Sequence, residues 1–395
     1  MNSFRILLAA STALLTANFA LAQTWTQTSA PNSSWSAVAS SADGTKLLAV
    51  AFGKSPSRIY ISTNSGVSWT TNGAPNEMWG AIASSADGNT LVASVAFYLR
   101  TNVIYVSTNA GATWTSNTNV PSLGFFACSA DGRKWIASAG SGGIYTSTNS
   151  GATWTSNNVP NGFWLCVASS ADGTKLVAAE ATNLATYISH IYVSRDSGNT
   201  WILTSAPGLT WDSISTSADG KKLVASAALT AYTSPAIYRS TDSGTSWVPA
   251  SVPGNTWSSV ASSADGNKLV AAARYEPLYV STNAGEIWSL ADSPSVGWQG
   301  VASSADGNKL VAIDESGGIW TSQTTPAPQM NITPTYGNFT LSWLVPSTNF
   351  VMQQSSDLGS WTDMTNQPVL NLTNLQNEVM LSPSSSSGFY RLKTP

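Results

Sequence analysis

The chain has 395 residues, a net charge of −3 and charged side chains at only 9% of positions. That balance excludes the basic stripe that nucleic acid requires and the polybasic patch that holds a protein on anionic lipid. Trp, at 17, outnumbers Tyr at 12 and Phe at 10, against a background of Ser, Thr, Asn and Gly that suits many short strands joined by tight turns.

Residues 1–22 read as a signal peptide. Arg5 supplies the positive end, Ile6 to Ala20 an apolar stretch, and Ala20-Leu21-Ala22 an A-x-A cleavage site before Gln23. Cleavage after Ala22 predicts a secreted or periplasmic/cell-surface protein, with no integral membrane segment thereafter. That compartment permits disulfides, yet the chain has only Cys128 and Cys166. Their positions relative to the repeat differ by three residues, about 10 Å along a strand, so both thiols are expected to be free and buried.

From residue 23 two signals alternate. The first is S-A-D-G, with Asp at 43, 87, 131, 172, 219, 265 and 306, each followed by a short apolar run such as Lys46-Leu47-Leu48-Ala49-Val50. The second is S-x-[ND]-x-G-x-x-W, starting at Ser62, Ser107, Ser147, Ser194, Ser240 and Ser281 and ending at Trp69, Trp114, Trp154, Trp201, Trp247 and Trp288. Asp-Gly is turn chemistry, because Gly accepts positive φ and Asp bonds its own backbone. Units of 41 to 47 residues made only of strands and turns predict a seven-bladed β-propeller with four strands, A to D, in each blade. S-A-D-G joins A to B, and the second motif joins C to D.

The second motif resembles the Asp-box, or BNR repeat, of sialidases, sortilin-type receptors and photosystem II assembly-factor propellers. The resemblance implies a structural box, whose Asp caps the turn and whose Trp packs between blades. Asp is kept only at Asp196 and Asp242; Asn64, Asn109, Asn149 and Asn283 replace it elsewhere. Asn caps equally well, and its neutrality argues against metal ligation.

A seventh box is absent after Ile319-Trp320-Thr321-Ser322. Ten residues separate Trp25 from Trp35, as they separate Trp69 from Trp79 and Trp288 from Trp298. The N-terminal strand around Trp25 is therefore expected to complete the last blade and leave no open edge. The propeller should span 23–325, followed by a Pro-rich linker at 326–332. Residues 333–395, with alternating runs such as Phe339-Thr340-Leu341-Ser342-Trp343, predict a small C-terminal β-sandwich-like domain. They resemble a short terminal module of exported bacterial proteins through L-S-W, S-S-D-L-x-x-W and F-Y-R-L.

Length variation falls almost wholly in the B–C loops, which share a face with the D–A connections. Recognition usually sits on variable loops of a rigid scaffold, so that face is the expected binding surface. It carries the start of each A strand, where six blades place Trp35, Trp79, Trp164, Trp211, Trp257 and Trp298, with Leu123 in the third. These indoles either fill the wedges between blades or form a ring at the channel mouth that stacks on sugars or apolar side chains. Polar candidates in the B–C loops are Arg58, Arg100, Glu180, Arg274, Glu276 and Asp314, with His190 and Glu315 nearby.

A sialidase would need three arginines on the substrate carboxylate, a Tyr/Glu nucleophile pair and an Asp acid/base. No such set is recognisable, so no catalytic residue is assigned and the box is taken to travel with the fold. One histidine argues against a His-rich metal site, and no Gly-rich stretch cradles phosphate, so no cofactor or metal is expected. The expected function is a non-catalytic exported scaffold, a monomer, that binds a carbohydrate or a protein/peptide ligand. The alternative is a divergent sialidase-like glycoside hydrolase or lyase acting through paired loop carboxylates among Glu180, Glu276, Asp314 and Glu315.

Overall fold

A computed structural model describes residues 25–323 apart from 53–57, 97–101, 140–141, 160–161, 182–188 and 228–235, and then 330–335, 338–344, 351–356, 360–364, 368–382 and 389–393. The signal peptide expected at 1–22 lies outside the described residues. Those residues form an all-β chain; no helix among them is long and apolar enough to cross a membrane.

Seven four-stranded antiparallel units follow the repeat. The first runs Trp35–Ser40 (A), Leu47–Ala51 (B), Ile59–Ser62 (C) and Thr70–Thr71 (D). The next five, with A strands at Trp79–Ser84, Leu123–Cys128, Phe163–Ser169, Trp211–Thr216 and Trp257–Ser262, keep the same order. The seventh is built from Val296–Ser303, Lys309–Asp314 and Ile319–Gln323, and its outer strand is Thr26–Gln27 from the N-terminus. Thr26 pairs with Thr321 and Gln27 with Trp320. Each A strand contacts the next around the circle, including the seventh with the first.

Every A–B turn is built alike. Ser41 Oγ donates to Asp43 Oδ1, which also accepts the Thr45 N–H at 2.9 Å, and the Lys46 N–H donates to Ser41 Oγ. Gly is required at the fourth position: Gly88 has φ +68, and a Cβ there would lie 2.6 Å from Lys46 Cδ of the preceding blade. The alanine backbones join the blades. Ala42 N–H donates to the Ala86 carbonyl, Ala86 to Ala130, Ala130 to Ala171, Ala171 to Ala218, Ala218 to Ala264, Ala264 to Ala305 and Ala305 back to Ala42, all at 2.7 to 2.9 Å. A closed belt of main-chain bonds thus encircles this end of the channel.

The C–D turns are equally regular. Ser62 Oγ accepts the Gly66 N–H at 2.8 Å, Asn64 Oδ1 accepts the Ser68 N–H at 2.9 Å, and Trp69 Nε1 donates to the Gly66 carbonyl. Asp196 does the work of Asn64 in its own blade, accepting the Thr200 N–H at 2.9 Å. The residue before each motif glycine, such as Ser65 at φ 57, sits in the left-handed region.

Between blades, an aliphatic face meets an aromatic one. Val50, Ile59 and Ile61 of the first blade pack on Trp79, Ala93, Tyr105 and Trp114 of the second. Strand B carries small residues such as Ala93 so that the indole can lie across it and meet the strand C tyrosine edge-on, with centroids 5.2 Å apart for Trp79 and Tyr105. The closing blade follows the same plan with different residues: Trp298 meets Trp320 at 6.0 Å and Trp25 at 6.1 Å.

Beyond the propeller, one sheet contains Asn331–Thr335, Asn338–Leu344, Gln376–Leu381 and Val369–Asn371, and another contains Thr362–Asp363, Val351–Ser355 and Phe389–Lys393. Leu341, Trp343 and Val379 of the first sheet share a core with Met352 of the second, which makes this module a small sandwich.

Candidate functional site at the channel mouth

The six strand A tryptophans do not form an exposed ring. Trp35 retains 2% of its surface, Trp257 1%, and Trp79, Trp164, Trp211 and Trp298 none. The wedge between neighbouring blades takes up each indole, so the packing reading is correct and the stacking reading is not. Trp35 Nε1 donates to the Gly317 carbonyl at 2.8 Å.

Each A strand carries a β-bulge immediately after that residue. The ladder skips Ser36, Gly80, Gly124, Leu165, Asp212, Ser258 and Gln299. Bulges re-aim a side chain and interrupt pairing. At two of the seven the bulged serine bridges to the next blade: Ser36 Oγ donates to the Trp79 carbonyl at 3.0 Å and Ser258 Oγ to the Trp298 carbonyl at 2.8 Å. In this column of otherwise neutral residues, Asp212 alone is charged. Burial pushes its carboxyl up to about 6, and the Arg274 guanidinium partly opposes that shift. Sequence reasoning passed over Asp212; stacking the seven repeats at the bulge column would have singled it out.

Arg274 and Glu276 were expected in a loop and instead lie on strand. The sixth blade's B strand runs on from Leu269 to Glu276, and its end pairs with the seventh blade's A strand, Arg274 opposite Gly297 and Glu276 opposite Val296. Between them Tyr275 is held at φ 64 and is 64% exposed, a strained conformation for a bulky residue. Its hydroxyl donates to Glu315 Oε2 at 3.3 Å. Hydrogen bonding to Glu315 and the negative charge there raise the Tyr275 pKa above its ordinary value. Glu315 is exposed, and its backbone N–H donates to the Gly297 carbonyl at 2.9 Å. With Ser34, Trp35, Ser36, Phe52 and Gln299 it lines a cavity of about 260 Å³ at the seam of the seventh and first blades. Asp212, Arg274, Tyr275, Glu276 and Glu315 thus follow one another over consecutive blades, three carboxylates against one guanidinium.

The remaining candidates separate from this arc. Asp314 is 1% exposed and is a turn-forming residue: Oδ1 accepts the Ser316 and Gly318 N–H groups at 2.7 and 3.1 Å, and Oδ2 accepts Trp320 Nε1 at 2.6 Å. Burial would raise its pKa, but the hydrogen bonds from Ser316, Trp320 and Gly318 outweigh it and hold the carboxyl low. A carboxylate saturated in this way cannot serve as one of a catalytic pair. Glu180 is the penultimate residue of the fourth blade's B strand, Leu176–Ala181, where Oε2 lies 3.3 Å from His190 Nδ1. Arg58 is half-buried in the first blade, and Arg100 lies outside the described residues. No group of three His, Cys, Asp or Glu side chains is placed to hold a metal ion among the described residues. Cys128 and Cys166 are both free, and burial raises each thiol's pKa well above its ordinary value.

No family of known sequences matches the chain, and no curated protein matches it. Solved structures do. A propeller-containing hydrazine synthase chain from Kuenenia stuttgartiensis aligns with a TM-score of 0.61 at 14% identity, over 76% of this chain and 98% of that one. YCF48 from Cyanidioschyzon merolae aligns with 0.58 at 12% identity, over 76% and 98%. YCF48 bound to a D1 peptide aligns with 0.56 at 13% identity, over 76% and 96%. At such identities the likeness is one of fold: the chain is built as a β-propeller.

Proposed function

We propose that the protein is an exported, non-catalytic, monomeric propeller scaffold that binds a peptide or carbohydrate ligand at the mouth formed by Asp212, Arg274, Tyr275, Glu276 and Glu315. Export rests on the leader at 1–22, and the six S-x-[ND]-x-G-x-x-W turns are read as Asp-box repeats that frame the blades. The observation that carries the binding reading is Tyr275, a large aromatic kept exposed in a strained conformation between two cross-blade pairs. Backbone strain of this kind concentrates at functional positions. The excess of carboxylates favours a ligand bearing a cationic group, and the exposed phenol ring suits one through its face. A peptide with a lysine or arginine meets both conditions, and a fold neighbour has been solved with a peptide bound.

The test is binding of a basic-peptide library and a glycan array to the purified full chain, repeated with Tyr275→Ala and Glu315→Gln. Loss of binding in both variants supports the reading, and undiminished binding in both removes it. The glycosidase reading keeps one specific support, the raised pKa of Asp212, which suits an acid/base group. Turnover in a fluorogenic-glycoside panel, abolished by Asp212→Asn, would replace the scaffold with an enzyme.

A further inference from the structure

The S-A-D-G turns surround a second cavity at the opposite end of the channel. A cavity of about 180 Å³ is lined there by the belt alanines, by the hydroxyls of Ser40, Ser84 and Ser262, by Cys128 and by one residue from outside the propeller, Leu375. Leu375 belongs to the C-terminal sandwich, and with Leu370 it packs against the pair Ala42 and Ala305, which Ala86 and Ala264 also flank.

The turn that carries Leu375 is built to project it. Leu375 sits at φ 56, a conformation leucine rarely adopts. Its N–H donates to the Asn371 carbonyl at 2.8 Å, and Asn374 Oδ1 accepts the Gln376 N–H at 3.0 Å. Glu378 Oε1 accepts both Asn371 Nδ2 at 2.9 Å and Asn374 Nδ2 at 2.8 Å, which locks the turn from the neighbouring strand. On the propeller side the fit depends on alanine. The belt positions present only methyl groups, and their amides and carbonyls are spent on one another, so an apolar side chain meets no unpaired polar group.

We propose that the C-terminal sandwich is a built-in stopper: Leu375 seats in the ring of alanines, keeps the module docked on the S-A-D-G end and closes the channel there. The lumen is then a blind cup, and ligands reach it only from the mouth that carries Tyr275. Contact through two leucines and methyl groups is short-range and unspecific in charge, as suits a closure that can be displaced.

The full chain contains its own reporter. Cys128 lines the same cavity as Leu375, its Sγ–H donating to the Ser84 carbonyl, whereas Cys166 is buried in the packing around Trp211 between the fourth and fifth blades. Methylmercury labelling followed by mass spectrometry is compared in the unaltered chain, Leu375→Met and Leu375→Asp, with X-ray scattering on each. In the unaltered chain and Leu375→Met, Cys128 should label slowly and the particle should be compact. In Leu375→Asp, Cys128 should label at least about tenfold faster, as when a protecting contact opens locally, Cys166 should stay protected, and the radius of gyration should rise. Rapid Cys128 labelling in the unaltered chain, or no effect of Leu375→Asp on either measurement, overturns the proposal. Parallel acceleration of both cysteines does so too, because Leu375 would then be part of the propeller's own stability.

Discussion

The backbone N–H of Ala305 donates to the carbonyl oxygen of Ala42 at 2.7 Å, tying the seventh repeat to the first through the contact that joins every other neighbouring pair. Proline at 305 removes that donor and leaves the Ala42 carbonyl unpaired at a buried position. Ala305→Pro should therefore destabilise the propeller by about 2 kcal/mol or more, measured by chemical denaturation. Amide exchange offers a second check: the seven belt N–H groups should be among the slowest in the chain.

Ring closure at the outer edge depends on Trp25. It is 8% exposed and packs against Trp298, while Thr26 and Gln27 supply the missing outer strand. Trp25→Ala should cost about 3 kcal/mol, in the range for removing a buried indole. Deleting residues 23–28 should do at least as much and should lower the denaturation midpoint in the same assay.

Asp212 gives the protein a pH dependence of definite sign. Burial on folding lifts its pKa from the ordinary 3.8 to about 6, so the native state binds more protons than the unfolded one between those values. Stability from this group is complete below the unfolded pKa and is lost as pH rises through the folded one. Asp212→Asn should match the unaltered chain near pH 4 and exceed it at pH 7.5, by on the order of 1–2 kcal/mol. Melting temperatures across that range give the answer.

Tyr275 should show a trade between stability and recognition. Glycine relaxes its left-handed backbone, so Tyr275→Gly should hold or raise stability, by up to about 1 kcal/mol. Calorimetric titration with a ligand found for the mouth should show weakened binding in the same variant. Equal affinity would mean that the strained tyrosine is a product of the cross-blade pairing alone.

The capping turns should tolerate a carboxylate in place of an amide and not an alkyl group. Asn64→Asp keeps the acceptor for the Ser68 N–H, whereas Asn64→Ala removes it. Thermal unfolding should change little for the first and fall by about 1 kcal/mol for the second.

Much of this protein is fixed locally and was legible for that reason. S-A-D-G and S-x-[ND]-x-G-x-x-W dictate their turns through hydrogen bonds that reach no further than five residues, and seven spaced copies of one pattern can only stack. The chain-end closure was legible because the ten-residue interval from Trp25 to Trp35 repeats the interval from box Trp to the next blade's Trp at five of the other six seams. The candidate site was legible only in part. Arg274 and Glu276 fell on the expected face, but a run of apolar residues ending in Arg-Tyr-Glu gives no sign that the strand continues and crosses to the next blade. Whether the six tryptophans would be buried or exposed depended on the alanines of strand B and the strand C aromatics, five tyrosines and Trp320, that flank the wedges, which is a property of neighbours rather than of spacing. The raised pKa of Asp212 and the seating of Leu375 in the alanine belt arise from residues brought together across blades or domains. Sequence determined the ring; only tertiary structure decided what its two ends present, because burial and charge at each end are set by groups far apart in the chain.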